Sequence, residues 1–189
     1  MVVAKSMQRV IEEMLPVVLL FAGMELATGG FLDGIMDEAA IAPGLLILVP
    51  GILGMRGNIS SALGARLSSG LHLGYISSTH MTKGLKKNIE ISIFLSVFIA
   101  FVLSVLAWGA CIYIGGPCIS LVNFILISIT TGLLSGVILS LTTSGIAVLS
   151  YRKGLDPDNV TLPAAASIGD IITIICLLLS VKFIIGLGL

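Results

Sequence analysis

Long apolar stretches separated by short polar segments dominate the chain. A helix needs about 20 apolar residues to cross the ~30 Å hydrocarbon core of a bilayer. Five stretches reach this length, so the pattern predicts an all-α membrane protein with five transmembrane helices. The five predicted helices run approximately over residues 10–32, 39–67, 89–114, 119–151 and 160–183.

Basic residues orient these helices, because Lys and Arg are enriched in cytoplasmic connections. With the N-terminus placed inside the cell, nine of the ten Lys and Arg residues lie at or near the cytoplasmic face, and only Lys182 lies outside. The sequence therefore predicts a cytoplasmic N-terminus, a cytoplasmic connection at 68–88 and an external C-terminus. The nine residues are Lys5, Arg9, Arg56, Arg66, Lys83, Lys86, Lys87, Arg152 and Lys153.

Composition excludes a soluble protein and a nucleic-acid binder. Of the 189 residues, 57% are hydrophobic and 11% charged, whereas a soluble domain is roughly 25% charged. The net charge is zero and no basic block is present, as nucleic-acid binding would require. The first apolar run lacks a small-residue cleavage site, so we interpret it as a retained helix. Residues 1–189 are expected to form a single multi-pass domain in the cell membrane, with no soluble domain attached.

Three cysteines, Cys111, Cys118 and Cys176, have no metal-binding or redox spacing, and both histidines are distant from them in sequence. We interpret the three thiols as small apolar side chains within membrane helices. His72 and His80 are expected to be solvated in the cytoplasmic connection.

Asp170 is the strongest candidate for chemistry. It stands about ten residues into the fifth predicted helix, roughly 15 Å from its start, and so near the middle of the bilayer. A carboxylate at this depth needs water, a cation or a hydrogen-bond donor. Ser167 and Thr173, three residues to either side, share its helix face. The polar face predicts either a cavity for a cation or a protonated carboxyl group hydrogen-bonded between helices.

Small residues recur along the second predicted helix, with Asn58 among them. Their spacing of three and four residues lets helix backbones approach closely, and helix packing alone accounts for such a pattern. Pro50 removes a backbone donor and predicts a kink or break, where freed carbonyl groups line an ion path only if water or protein covers them. The small residues are Gly51, Gly54, Gly57, Ser61 and Ala65.

The connection that begins at Asp156 allows two interpretations. Its sequence, Asp-Pro-Asp-Asn, starts like a calcium-binding loop but lacks the glycine at position six and the acidic residue at position twelve, which is Ser167. As local structure, the segment ends one helix and caps the next. Glu25, nearer the outer end of the first predicted helix, is a further candidate for lining a vestibule.

Two stretches resemble signatures of the solute carrier 41 family of magnesium transporters, which shares the membrane domain of the bacterial MgtE magnesium channels. The resemblance covers almost the whole chain. The first stretch comprises Pro50, Gly54, Gly57-Asn58 and Arg66-Leu67-Ser68. The second runs from Asp156-Pro157-Asp158-Asn159 through Pro163 and Ala165-Ala166-Ser167 to Gly169-Asp170.

The resemblance implies an MgtE-like five-helix domain that forms a homodimer, with the ion path at the dimer axis. It also implies that Asp170 faces this path and holds hydrated Mg²⁺, and that Asp156 lies at the cytoplasmic mouth. Of the channel pattern Gly-Gly-Asn-x-Gly-x-Gln, the chain keeps Gly57 and Asn58, but Arg56 replaces the first glycine. The channels' cytosolic sensor domains have no counterpart in the sequence, and the solute-carrier relatives carry two such domains where this chain has one.

The residues independently favour a path for Mg²⁺, which takes oxygen ligands and releases its water reluctantly. One Asp170 from each of two copies would match the double charge of the ion. The main alternative, an intramembrane aspartyl protease, requires a second carboxylate, and Ser167 replaces the first glycine of its Gly-x-Gly-Asp pattern. We therefore do not expect an enzyme. A passive path would import Mg²⁺, since a potential of about 100 mV favours entry by roughly 4.6 kcal/mol; export would need coupling, for example to Na⁺.

Overall fold

The computed structural model describes residues 11–12, 14–24, 26, 28–30 and 44–187, and their regular secondary structure is entirely α-helical. Within these residues, four helices are long and apolar enough to cross a membrane, which confirms four of the five predicted spans. Helix α1 is described over residues 14–24. The others are α2 (Leu45–His72), α3 (Lys83–Ile114), α4 (Leu121–Arg152) and α5 (Pro157–Gly186).

The first predicted span continues into residues outside the described ones, so the count of five helices stays a prediction. The same holds for Glu25 and for the acidic turn that contains Asp33, Asp37 and Glu38. The 68–88 connection is shorter than predicted, because residues 68–72 continue α2 and residues 83–88 begin α3. Ser68 is completely buried, so a polar residue that marked a loop in the sequence instead packs inside the bundle.

Short polar residues and glycines set the helix ends. The hydroxyl of Thr82 accepts a hydrogen bond from the Leu85 amide at 3.2 Å and begins α3, and Ser120 caps α4 through the Asn123 amide. Gly115, with φ of 75°, ends α3 in a conformation that favours glycine. Of the predicted kink or break at Pro50, the break is wrong, because α2 continues through this residue. The kink stays a prediction.

Helices α2 and α4 form the centre of the bundle. Each contacts the other three long helices, whereas α3 and α5 do not contact one another among the described residues. Apolar side chains fill two regions along α2, one around Leu48 and Ile52 and one around Leu63 and Leu67. The bundle thus has two apolar layers, with α2 extending through both.

Many buried side chains are hydroxyls, and they fall into two groups. Some serines and threonines donate to a carbonyl group one turn earlier in their own helix. Examples are Ser96 to Ser92 at 2.6 Å, Ser135 to Thr131 at 2.5 Å, Ser144 to Ser140 at 2.7 Å and Ser180 to Cys176 at 2.8 Å. Such hydroxyls add no unpaired donor, so these small polar residues can pack inside a membrane bundle. Five other buried hydroxyls have no hydrogen-bond partner within the described residues: Ser68, Ser92, Ser128, Thr143 and Thr161.

Arg56 does not lie at a membrane face, which corrects the orientation count. It is the twelfth residue of α2, about 24 Å from the His72 end at 1.5 Å per residue, and only 1% of its surface is exposed. Without it, eight basic residues still favour a cytoplasmic N-terminus and one opposes it. The asymmetry that predicted the orientation is retained.

Cys111 and Cys118 form a disulfide across the turn between α3 and α4. Their interpretation as independent apolar side chains is therefore wrong, whereas Cys176 is a buried free thiol. The turn through Gly115 and Pro117 returns the chain on itself and brings the two sulfur atoms together. This turn lies at the opposite end of the bundle from the α2–α3 connection.

Helices α3 and α4 approach each other closely at Gly132, so this position should not tolerate a side chain. A Cβ atom there would lie 2.7 Å from the Ala100 Cβ and 3.0 Å from the Ser96 carbonyl oxygen. We expect Gly132→Ala to lower the free energy of unfolding by about 1–3 kcal/mol through overpacking. Gly109→Ala is the matched control, because no described atom lies within 4 Å of its Cβ position. Thermal unfolding in detergent tests this; equal midpoints for both variants would contradict the close α3–α4 contact.

Candidate functional site

Asp170 lies at the middle of α5 and is partly buried. It is the fourteenth of the 30 residues of the helix, about 20 Å from Pro157 at 1.5 Å per residue. The neighbouring Gly169 lies against α4, because a Cβ there would make an ordinary contact of 3.7 Å with Leu139. A carboxyl group therefore stands at mid-depth of α5, next to a residue that faces the central helix α4.

Ser167 and Thr173 flank Asp170 on α5 and are more deeply buried than it is. Ser167 is 2% exposed and Thr173 is 0% exposed. The Thr173 hydroxyl donates to the Gly169 carbonyl oxygen at 2.6 Å. Its proton is thus engaged inside the helix, and only an oxygen lone pair is left to accept a further bond. Both hydroxyls point to the interior of the protomer, and their role as ion ligands stays a prediction.

Asn58 stands on a different surface, because its side chain is exposed at the middle of α2. The glycines beside it, Gly54 and Gly57, have no described atom within 4 Å of a Cβ position. Gly51 differs, because a Cβ there would lie 3.4 Å from the Leu103 side chain, so packing inside the protomer accounts for this glycine. Such packing does not account for Gly54 and Gly57. The small-residue surface around Asn58 is therefore not covered at mid-depth by the described residues.

Asp156 caps α5, as the local interpretation of its sequence predicted. Its Oδ1 atom accepts a hydrogen bond from the Asp158 amide at 3.1 Å, and Pro157 occupies the first turn. The same oxygen lies 3.8 Å from His72 Nε2, and the His72 ring meets Tyr151 edge-on at 5.5 Å. His72 is exposed as predicted. Its proximity to Asp156 was not predicted, because the two residues are 84 positions apart in the chain.

Within the described residues, no group of three or more His, Cys, Asp and Glu side chains lies close enough to hold a metal ion. Hydroxyl, amide and backbone carbonyl oxygen atoms also serve as ligands of hard cations, which often keep several of their waters.

Arg56 lies inside the bundle, whereas the sequence predicted it at or near the cytoplasmic face. Its Nη2 atom donates to the Gly132 carbonyl oxygen at 2.8 Å, and its Nε atom has no hydrogen-bond partner within the described structure. Its depth in the second apolar stretch was the available signal, since a charge midway along a membrane helix indicates a functional site.

The sequence model of the MgtE family, described as a divalent cation transporter family, matches residues 49–180. This range includes α3 and α4 completely and both mid-depth charges. The chain belongs to the MgtE family. It is thus a member of a family of multi-pass transporters, and the four membrane-crossing helices agree with this membership.

Relatives of this MgtE-family chain include solute carrier family 41 proteins. Member 2 from Gallus gallus is 30% identical over 166 residues, which cover 82% of this chain and 28% of that protein. The human member 2 is 30% identical over 138 residues, covering 69% of this chain and 23% of the relative. Member 3 from Rattus norvegicus is 26% identical, covering 87% and 37%. The chain spans less than two fifths of the length of these relatives.

Two variants of Asp156 separate its capping role from its charge. Asp156→Ala should lower the free energy of unfolding by about 1 kcal/mol, because the α5 cap is lost, whereas Asp156→Asn keeps a capping oxygen. If the Asp156 charge also attracts cations, Asp156→Asn should slow Mg²⁺ uptake a few-fold. Added salt should reduce this difference from wild type, because the carboxylate is partly solvent-exposed and salt screens its charge (the Debye length is ~10 Å at 0.1 M).

Asp158→Asn provides the matched control, since it removes a carboxylate two residues away that accepts no capping bond of α5. Thermal unfolding and uptake into proteoliposomes measure the two roles separately. Unchanged uptake in Asp156→Asn would limit Asp156 to capping.

Proposed function

We propose that this chain moves Mg²⁺ across the cell membrane along a path lined by Asp170 and completed by a second copy of the chain. One observation carries the proposal: a partly buried carboxyl group at mid-depth of α5, inside the segment that matches the divalent cation transporter family. A carboxylate at this depth needs water, a cation or a hydrogen-bond donor. A transported, hydrated cation would bring a positive charge and its own water molecules.

The chemistry of Mg²⁺ suits this position. The ion prefers octahedral oxygen ligands and keeps several of its waters. A carboxylate can therefore bind the hydrated ion through these waters, with Ser167, Thr173 and Asn58 as further oxygen donors. In ion channels, rings of acidic side chains select cations over anions.

A second copy would cover the small-residue surface of α2. Asn58, Gly54 and Gly57 stand at mid-depth without close described neighbours, and small residues allow two helix backbones to approach closely. A two-fold axis beside this surface and α5 would bring two Asp170 side chains to one path. Their two negative charges would balance one Mg²⁺. The homodimer and its five helices per copy are part of this proposal.

The orientation follows from two independent features. The basic connection between α2 and α3 favours the cytoplasm, and the Cys111–Cys118 disulfide at the other end favours an oxidising compartment. Both favour a cytoplasmic N-terminus and an external C-terminus. A membrane potential that is negative inside drives passive Mg²⁺ flow inward, whichever way the protein is oriented.

Coupled export is the alternative, with Na⁺ as the coupling ion. Uptake and release of Mg²⁺ in proteoliposomes, with and without an imposed Na⁺ gradient, distinguish the two. Flow that follows only the Mg²⁺ gradient and the potential supports a channel, whereas uphill Mg²⁺ movement that requires Na⁺ supports an exchanger.

Asp170→Asn tests the proposed site directly. Asparagine nearly preserves volume and hydrogen bonding but removes one negative charge from each copy, so Mg²⁺ flux should fall by at least ~10-fold while the protein stays folded. Proteoliposome flux and size-exclusion chromatography measure the two properties. His80→Ala is the control, because His80 is exposed and bonds only to neighbouring Ser77 and Thr79 among the described contacts. Wild-type flux in Asp170→Asn would leave Asp170 as a packing residue.

The proposed orientation predicts which single-cysteine variants react from outside. A membrane-impermeant maleimide added to intact cells should label Tyr113→Cys, at the exposed end of α3, and should leave Lys86→Cys unlabelled until the cells are opened. Tyr113 is 92% exposed and Lys86 is also exposed, so the described protein covers neither side chain. External labelling at Lys86→Cys alone would reverse the orientation.

A further inference from the structure

Arg56 is the only charged side chain in the described structure that is fully buried. It lies on α2, near the centre of the bundle, where a charge is costly unless it has a function or a partner. Its Nε atom has no hydrogen-bond partner within the described residues. The side chain therefore keeps a positive charge at a cost that the fold alone does not explain.

The structure provides a specific place for this side chain. The guanidinium group donates to the Gly132 carbonyl oxygen at 2.8 Å. One turn further along α4, a Cβ at Gly136 would lie 3.4 Å from Arg56 Nη1 and 3.1 Å from Ser96 Cβ. Gly136 thus leaves space beside the guanidinium group, and Gly132 supplies the carbonyl oxygen that the group binds.

The level of Arg56 is close to that of Asp170. Gly136 contacts the Arg56 position, and Leu139, three residues later and about 4.5 Å along the helix axis, packs against Gly169. The two charged groups therefore lie within roughly two helical turns of each other along the bundle.

These two residues are also the only charges in the middle of the four long helices. Residues 45–65, 91–114, 121–151 and 159–181 contain Arg56 and Asp170 and no other Asp, Glu, Lys or Arg. In the low-dielectric interior, each would influence the other and any ion beside them far more strongly than in water.

We propose that Arg56 is a specificity-determining residue of the cation path: its fixed positive charge weakens the hold of Asp170 on a divalent cation so that the ion can leave. This inference rests on the proposed function of Asp170. Conduction requires a site that binds well enough to admit the ion and weakly enough to release it. Two carboxylates alone would match both charges of Mg²⁺, and two arginines in the same interior would offset part of that attraction.

Charge-removing and charge-keeping variants test the proposal through the concentration dependence of flux. In proteoliposomes, Arg56→Gln should lower the half-saturating Mg²⁺ concentration at least fivefold and also lower the maximal rate, because the ion is held longer. Arg56→Lys keeps the charge and should keep both values within twofold of wild type. Arg66→Gln is the control: Arg66 lies on the same helix, is partly exposed and bonds to the Ala62 carbonyl oxygen of its own helix.

A folded Arg56→Gln variant with an unchanged half-saturating concentration would overturn the proposal, as would an Arg56→Lys variant that behaves like Arg56→Gln. If Arg56→Gln fails to fold, Arg56→Met removes the charge while keeping most of the volume, and the same shift is expected. Failure of the Gln, Met and Lys variants to fold would assign Arg56 a structural role and refute the proposal. Wild-type flux in Asp170→Asn would instead refute the proposed function itself.

Discussion

The interior of a lipid bilayer offers no hydrogen-bond partners, and this constraint governs the whole bundle. Buried hydroxyls such as Ser96 and Ser135 donate to carbonyl groups of their own helices, so they leave no proton unpaired. Helices α3 and α4 can then approach closely at Gly132, whose carbonyl oxygen in turn accepts the bond from Arg56. Five other buried hydroxyls have no partner among the described residues, and burying a charge costs far more than burying an unpaired hydroxyl. A charged side chain at mid-depth therefore requires an explanation beyond packing.

Arg56 and Asp170 are the two charges to explain, and they differ in their surroundings. Arg56 is sealed among α2, α3 and α4, where it cannot meet a passing ion directly. Asp170 is only partly buried on α5, and the described residues do not cover the surface of α2 around Asn58 at a similar depth. Under the proposals above, the fixed charge of Arg56 would moderate the affinity of Asp170 for a cation, as a transporter requires. Membership of a divalent cation transporter family is compatible with this arrangement.

The sequence predicted the four long helices because each needs about 20 apolar residues, and hydropathy reports this directly. It predicted the Asp156 cap because capping is local. It placed the end of α2 too early, since the burial of Ser68 depends on packing against other helices. The disulfide was missed because a separation of seven residues is uninformative until the turn at Gly115 is known. The ion path could not be predicted from the residues of one copy alone, because its proposed partner surface belongs to a second copy; the family resemblance supplied that expectation.

The central claim is that one path, shared by two copies, uses an Asp170 from each. Dimers that contain one wild-type and one Asp170→Asn copy can be isolated through two different affinity tags and reconstituted, and their Mg²⁺ flux compared with that of doubly wild-type dimers. Because both carboxylates would act on the same ion, the account predicts flux far below half of the wild-type value. Flux at half of the wild-type value would mean that each copy conducts independently, and it would contradict the shared path.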